Sequence, residues 1–258
     1  MAWRHRSLAA FGAVLMLAAL PAVPVSADEL YDAVRTGNVS RALTLLESGA
    51  DPNIRSPYDG PLHVAARLGQ SELVIALLKA GSDIELSGYG GAHPLHAAAL
   101  AGQKEIVSIL LERGAQVDAL DNVGRTALMT FVSGEAVDTG TLRILLTAGA
   151  DPNRADAGSH LYALDYAVIQ GRADESAILV AAGADVNSKD SLFGKSPLHY
   201  ATGYDAVHGT QEVVQFLIEH GADVNARDFA GITPLDYAKI YSPNNGLLHQ
   251  ILKAAGAQ

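Results

Sequence analysis

Apolar and polar positions follow a pattern that recurs about every 33 residues along most of the chain. Each period holds two short runs in which apolar residues are three or four apart, the spacing of one face of an α-helix. The clearest example extends from His93 to Asp118 and reads HPLHAAALAGQKEIVSILLERGAQVD. Pro94 suits the first turn of a helix, because the N–H that proline lacks would have no partner there. The pattern therefore predicts pairs of short helices.

Two glycines divide that example. Gly102 predicts the end of the first helix, and the second helix is predicted over Lys104–Arg113, where Ile106 and Leu110 belong to its apolar face. Gly114 fits a left-handed cap at the end of the second helix.

A recurring leucine and a recurring glycine show how often the unit is repeated. The leucines are separated by 33, 33, 36, 34 and 37 residues, and a glycine follows each predicted second helix. The leucines are Leu62, Leu95, Leu128, Leu164, Leu198 and Leu235, and the glycines are Gly49, Gly81, Gly114, Gly149, Gly183, Gly221 and Gly256. One pair of helices this short cannot bury its own apolar face, so neighbouring units must stack into one continuous core.

The motif in each unit resembles the ankyrin repeat, whose pattern is T-P-L-H, alanines, a glycine, a leucine-rich helix and G-A-D-x-N. The resemblance covers Asp28 to Gln258. It implies an all-α, ankyrin-type α-solenoid of about seven helix-turn-helix repeats with β-turn finger loops, in a family that binds proteins. The expected units are a capping unit 28–59, repeats at about 60–91, 92–124, 125–160, 161–194 and 195–231, and a C-terminal cap 232–258, numbered one to seven below.

The N-terminal 27 residues have the layout of a secretory signal peptide. Arg4 and Arg6 form a basic start, Leu8 to Leu20 is apolar, and Val25 to Ala27 offers the small residues that signal peptidase requires. An uncleaved membrane anchor is the alternative, but 13 residues at about 1.5 Å each fall short of a hydrocarbon core of roughly 30 Å. We expect cleavage after Ala27, a periplasmic or secreted protein, and no integral membrane segment after cleavage.

Charge and cysteine content narrow the possible partners. The net charge is −10, and it becomes −12 without the signal peptide. Such an acidic chain disfavours nucleic acid as a partner and suggests a protein with a basic patch. With no cysteine, the chain forms no disulfides and carries no lipoprotein anchor, so its stability depends on packing. A monomer is expected.

His93 and His96, three residues apart, raise the question of a metal site. His96 occupies the fourth place of T-P-L-H, as do His63 and His199, and the resemblance implies a structural hydrogen bond between neighbouring units. His93 occupies the threonine place. The structural interpretation is therefore favoured over metal binding.

Other motifs give no support to an enzyme. The sequence contains no nucleophile elbow, phosphate-binding loop, H-E-x-x-H or dinucleotide fingerprint. We expect no catalytic, cofactor or metal site. A divergent enzyme built around His160 and Asp165 is the least favoured alternative.

Binding is expected at the loop tips and at the concave face of the first helices. Large side chains at such exposed positions are typical of protein interfaces. The candidates are Arg67, Tyr89, Arg125, Leu192, Phe193, Tyr204, Phe229, Ile232 and Tyr241. For Tyr89, Phe193, Tyr204 and Phe229, packing against the neighbouring unit is the alternative. For Leu100 and Ile169, packing is the prediction.

These features together predict an exported scaffold that binds a protein partner. One specific form is an inhibitor or immunity protein for an exported enzyme or toxin, and a purely structural envelope protein is a further alternative.

Units four and five depart most from the repeat motif, with Thr126 to Met129 and Tyr162 to Asp165 in place of T-P-L-H. The middle of the stack is therefore predicted to be its weakest part.

Overall fold

The computed structural model describes residues 27–55, 59–203, 210–244 and 246–258. The predicted signal peptide up to residue 26 and Tyr204 lie outside the described residues. Within them the chain forms fourteen α-helices and no strand, with one isolated antiparallel bridge between Ala155 and Tyr162. The helices are α1 Ala27–Arg35, α2 Val39–Glu47, α3 Pro61–Arg67, α4 Ser71–Lys79, α5 Pro94–Leu100, α6 Lys104–Glu112, α7 Ala127–Ser133, α8 Thr139–Thr147, α9 Ala163–Ile169, α10 Ala173–Ala181, α11 Pro197–Thr202, α12 Thr210–Glu219, α13 Pro234–Tyr241 and α14 Gly246–Ala254.

The helices stack in two layers, which confirms the predicted all-α solenoid. Each unit contributes one odd-numbered helix to the first layer and one even-numbered helix to the second, and each helix contacts its counterpart in the next unit. We call the loop that precedes each first helix a finger, and each finger takes the number of the unit whose first helix follows it. No helix in the described part of the chain has the length and apolar character needed to cross a bilayer.

Local sequence explains how each unit begins and ends. Pro94 lies in the first turn of α5, as predicted. Helix α6 ends at Glu112, one residue before the predicted end, because Arg113 forms its cap. Gly114 then adopts φ +93°, the left-handed conformation that favours glycine.

A single apolar core extends through the whole stack. It begins with Leu30 in α1, includes the fully buried Phe131 in α7, and ends with Leu252 in α14. Ala98 and Ala99 in α5 are fully buried, and such small side chains let neighbouring first helices approach closely. No unit has a core of its own, as the repeat pattern predicts.

The histidine of the motif joins neighbouring units. In His96, Nδ1 accepts the backbone N–H of His93 at 3.2 Å, and Nε2 donates to the carbonyl oxygen of Arg125 in the next unit at 3.0 Å. Burial lowers the pKa of His96, which keeps the ring neutral. Since both ring nitrogens are used, the structural interpretation is confirmed for His96. The His93 ring instead lies 2.6 Å from a carboxylate oxygen of Glu85.

Candidate functional site

A buried aspartate organises each of the last four fingers. In unit six, Oδ1 of Asp190 accepts the backbone N–H groups of Leu192 and Phe193 at 2.9 and 2.6 Å, while Oδ2 accepts that of Lys195 at 2.9 Å. The equivalent residues are Asp121, Asp156, Asp190 and Asp228. Because one carboxylate bonds several amides of the same loop, it fixes the backbone of the finger tip.

In the last three units a tyrosine of the first helix completes this arrangement. Tyr166, Tyr200 and Tyr237 each lie four residues after the N-cap of their helix. Their hydroxyls donate to Oδ2 of Asp156, Asp190 and Asp228 at 3.0, 2.9 and 2.9 Å respectively. The sequence analysis did not single out these tyrosines, although their regular place after the N-cap was visible.

The electrostatics of these pairs suit a structural role. Burial alone would raise the pKa of Asp156, but bonds from the Ser159 hydroxyl and from backbone N–H groups outweigh it, so that the pKa is lowered. The pKa of Asp228 is lowered in the same way. Burial and the Asp228 carboxylate raise the pKa of Tyr237. Asp156 and Asp228 are therefore ionised acceptors, and Tyr237 is a neutral donor.

Units two to four lack the tyrosine, and a groove lies in its place. The corresponding residues are the smaller Val64, Ala97 and Thr130. The groove encloses about 590 Å³. Three predicted binding residues line it: Arg67 at the end of α3, Tyr89 on the finger before α5, and Arg125 on the finger before α7.

Both arginines of the groove are paired with acids. Arg67 Nη1 lies 2.9 Å from Asp59 Oδ2, and Arg125 Nη2 lies 2.9 Å from Asp121 Oδ2. Burial opposes the ionisation of Asp59, but the hydrogen bonds from Arg67 and from the backbone N–H of Tyr89 lower its pKa overall. The groove therefore carries balanced charge along its walls.

Leu100 forms part of this groove, so the packing prediction is wrong for it. Its side chain is 47% exposed because it lines the open groove beside Ala97 and Thr130 instead of packing into the core. Ile169 is partly buried against the core, as predicted.

The fingers of units six and seven and helix α13 carry a second surface, which we call the aromatic ridge: Phe193, Phe229, Lys195, Tyr237 and Tyr241. Phe193 is 57% exposed and Phe229 is 72% exposed. The backbone N–H of Phe229 donates to the carbonyl of Phe193 at 2.8 Å, which joins the two fingers. The Phe229 ring lies against Gly194, where a Cβ would come within 2.5 Å of it.

Lys195 connects the tips of the ridge to the first-helix layer. Its ammonium lies 5.3 Å from the ring centre of Phe193 and 5.0 Å from that of Tyr237, within the range of cation–π attraction. The rings of Tyr237 and Tyr241 are stacked with centres 5.8 Å apart. Lys195 thus lies between the exposed ring of Phe193 and the buried ring of Tyr237.

The predicted binding residues therefore fall into two groups. Arg67, Tyr89 and Arg125 line the groove, whereas Phe193, Phe229 and Tyr241 belong to the aromatic ridge, with the exposed Leu192 beside it on the same finger. Ile232 is half-buried, and its carbonyl accepts a hydrogen bond from His199. Among the residues that the structure describes, no group of His, Asp and Glu side chains is arranged to hold a metal ion.

Comparisons with known proteins agree with this architecture. A family model described as ankyrin repeats (3 copies) matches residues 30–121, 134–228 and 164–254. The nuclear factor NF-kappa-B p105 subunit of Gallus gallus is 31% identical over 150 residues, which are 57% of this chain and 15% of that protein. The ARF GTPase-activating protein GIT1 of Homo sapiens is 44% identical over 57 residues, which are 21% of this chain and 8% of that protein. The matches thus span only a small part of these relatives.

Solved structures share the fold over most of the chain. The ankyrin repeat domain of Bcl-3, described as a unique member of the IkappaB protein family, has a TM-score of 0.74 at 27% identity. That match covers 87% of this chain and 97% of the other. The human ASB11 ankyrin repeat domain has a TM-score of 0.76 at 25% identity, covering 89% and 98%. The chain belongs to the ankyrin repeat family.

Proposed function

We propose that the protein is an exported scaffold that binds a protein partner through its finger tips and the concave face of its first helices. The observation that carries the proposal is the aromatic ridge, where Phe193 and Phe229 project into solvent from two joined fingers. Large apolar side chains held in this way are typical anchors of protein interfaces.

The rigidity of the fingers supports a binding role. Asp190 and Asp228 fix the two finger backbones, and a bond between Phe193 and Phe229 joins them. An interface whose backbone is already ordered loses little conformational entropy when the partner arrives. Exposing two phenylalanine rings at fixed positions costs solubility, and a partner that covers them recovers that free energy.

The groove of units two to four is a second part of the proposed interface. Its acids and arginines are paired with each other, so it favours an uncharged or apolar side chain of the partner. The exposed Leu100 and Tyr89 supply apolar contact area there. The partner that this proposal requires is long enough to reach from the groove to the aromatic ridge.

Export is part of the proposal and has its own test. Helix α1 begins at Ala27, the last residue of the predicted signal peptide. Intact-mass and N-terminal analysis of the exported protein is expected to give Asp28 as the first residue. Recovery of a chain that still starts at Met1 from the same fraction would contradict cleavage.

The acid of the enzyme alternative, Asp165, is buried and hydrogen-bonded. Asp165 is only 1% exposed, and one carboxylate oxygen accepts the backbone N–H of Tyr162 at 3.0 Å. This bond gives Asp165 a structural role at the start of α9, and that role favours the scaffold proposal over the enzyme alternative. His160 adopts φ +57° in the turn before α9, where it forms part of the finger backbone. An inhibitor or immunity protein is the form of our proposal in which the partner is an enzyme or toxin.

The proposal is tested by comparing wild type with the double variant Phe193→Ala/Phe229→Ala as bait in extracts of the exported fraction. We expect wild type to retain a specific protein, and the variant to bind that protein at least about tenfold more weakly with an unchanged melting temperature. Arg113→Ala, an exposed change on the second-helix layer, is the matched control. A partner held equally by wild type and the double variant, or no partner at low salt, contradicts the proposal.

Thr130→Tyr tests the groove separately. Tyrosine is the residue that units five, six and seven carry at this place, so the fold is expected to accept it. The ring is expected to fill the groove and to weaken partner binding while leaving the aromatic ridge intact. An unchanged affinity of this variant for the partner would show that the groove is not part of the interface.

A further inference from the structure

A different groove lies on the opposite layer of the stack, on the second helices of units five, six and seven. It runs across α10, α12 and α14 and encloses about 570 Å³. Its apolar part is formed by Phe216, Leu247 and Ile251, and Leu247 is 52% exposed. The finger tips and the first helices contribute nothing to it, so the proposed concave interface does not account for it.

Acids surround the apolar part of this groove. Asp174 in α10 and Glu212 and Glu219 in α12 line it, and all three are exposed. Within the described residues, none of the three forms an ion pair with lysine or arginine; Glu219 accepts a hydrogen bond from the Gln215 amide at 2.9 Å. Three like charges around an apolar strip create a negative potential that attracts cations.

The other grooves have a different charge pattern. On the concave face, Arg67 and Arg125 are paired with acids. Between α2 and α4, a second-layer groove of about 410 Å³ includes Glu47 and Glu72, but Lys79 also lines it. Of these three grooves, only the one across α10, α12 and α14 combines exposed apolar residues with acids and no lysine or arginine.

We propose that the groove across α10, α12 and α14 binds a short basic amphipathic segment of a partner protein. Apolar side chains of the segment contact Leu247 and Ile251, and its lysines or arginines pair with Asp174, Glu212 and Glu219. The argument is charge complementarity: the acids select a cationic segment, and the apolar strip favours one with an apolar face over a uniformly charged tail.

The groove across α10, α12 and α14 is independent of the aromatic ridge, because the two lie on opposite layers of the stack. A substitution in α12 leaves Phe193 and Phe229 in place, so failure of one proposal leaves the other standing. The chain could hold two partners at once, or two parts of one partner, through the two surfaces.

The test uses a synthetic 14-residue peptide with leucines three and four apart and lysines at the flanking positions. A matched peptide carries glutamates instead of the lysines. Binding to the exported protein is measured by isothermal titration at low and at physiological salt, and ¹⁵N amide shifts locate the site. We expect saturable binding of the lysine peptide only, with the largest shifts in α10, α12 and α14, and weaker binding at higher salt.

Two charge-reversal variants distinguish binding at this groove from attraction to the net charge of the protein. Glu212→Lys/Glu219→Lys is expected to weaken the peptide about tenfold or more. Glu47→Lys/Glu72→Lys changes the net charge equally in the other second-layer groove and is expected to leave the affinity within about twofold. Leu247→Ala is expected to weaken binding as well. Melting temperatures confirm that each variant is folded.

Several outcomes would overturn the proposal. Equal weakening by both charge-reversal pairs would mean attraction to the net charge alone. Three other results would contradict a binding site in this groove: equal binding of the glutamate peptide, amide shifts located elsewhere, or binding that does not saturate. A dimer that forms through this groove without peptide, detected by sedimentation and abolished by Leu247→Ala, would assign the surface to a second copy of the chain instead.

Discussion

The Nε2 atom of His199 lies 3.1 Å from the carbonyl oxygen of Ile232 in the next unit. His63 and His96 make the same bond to the units that follow them. Unit five has Asp165 at this position, and its Oδ1 is buried with no hydrogen-bond partner in the described part of the chain. The bond that links consecutive units is therefore replaced in unit five by an unsatisfied polar atom.

Replacing Asp165 with histidine is expected to stabilise the protein by about 1–3 kcal/mol at pH 8. The new ring would accept the N–H of Tyr162 and donate to the backbone carbonyl of the next unit, as His199 does. Urea denaturation followed by circular dichroism measures the change. The reverse substitution His199→Asp is the matched control, and it should destabilise the protein. A histidine at position 165 that lowers stability would contradict this account.

Asp165 also makes stability depend on pH. Burial raises its pKa to about 7, with the charges of Asp190 and Asp156 adding to the effect. The unfolded chain releases this proton near pH 4, whereas the folded chain keeps it until about pH 7. Because the folded state binds the extra proton between these values, its stability falls as pH rises through this range.

Asp165→Asn removes that proton equilibrium. The stability of the variant relative to wild type should increase from about pH 4 to about pH 7 and stay constant above it. Taking the difference between the two proteins at each pH cancels the contribution of the buried histidines, which are unchanged. A difference that is the same at pH 5 and pH 8 would show that Asp165 titrates normally.

Asparagines in the turns after the second helices form a ladder of hydrogen bonds between neighbouring units. Asp118 occupies the place of an asparagine in this ladder. Asn187 donates from its side-chain amide to the Gly221 carbonyl at 3.0 Å and accepts the N–H of Asp223 at 2.8 Å. The asparagines that make this pair of bonds are Asn53, Asn153, Asn187 and Asn225. Asp118 accepts the N–H of Asp151 with both oxygens at 3.3 Å, but an ionised carboxylate has no proton to donate.

Asp118→Asn is therefore expected to stabilise the protein by about 1 kcal/mol at neutral pH. The amide would restore the missing donor, and the cost of burial that raises the pKa of Asp118 would disappear. Thermal denaturation is the measurement, and Asn187→Asp, which should destabilise, is the control. No gain in melting temperature would mean that the ladder contributes little to stability.

The fingers are joined by backbone bonds that are unevenly distributed. Asn122 donates to Gly90, Ala157 to Val123, and Phe229 to Phe193, at 2.8, 3.0 and 2.8 Å. In the described part of the chain no such bond joins the fingers of units five and six. This gap lies next to Asp165, in the region that the sequence predicts to be weakest.

Hydrogen exchange tests the predicted weak region. Amides of α9 and α10 are expected to exchange faster than those of α5 and α6, because opening the stack between units five and six breaks fewer bonds. Asp165→His should slow exchange in α9 and α10 and leave α5 and α6 unchanged. The slowest amides of the chain appearing in α9 would contradict the prediction.

Much of the fold could be predicted from the sequence because the signals recur. The period, Pro94 and Gly114 predict paired helices, and His96 predicts the link between units; the structure confirms each of these. The packing prediction for Leu100 was wrong, because the exposure of its side chain depends on residues from other units. The groove around Leu100 is lined by residues from Asp59 to Thr130, so it forms only when the units stack.

The aromatic ridge shows a second limit of sequence reasoning. Phe193 and Phe229 were identified singly, as large residues at loop tips. Their connection through Lys195, and through the contact with Gly194, depends on how two fingers stack. Sequence spacing gives the position of a residue within its unit, but the packing of the units decides which residues meet.

The most direct test of the central claim is site-specific photo-crosslinking in living cells. A photoreactive phenylalanine replaces Phe229, and in a matched control it replaces Arg113 on the second-helix layer. We expect one discrete adduct with a protein partner from position 229 that is absent from position 113. An absence of adduct from position 229, or the same adducts from both positions, would contradict a binding surface at the finger tips.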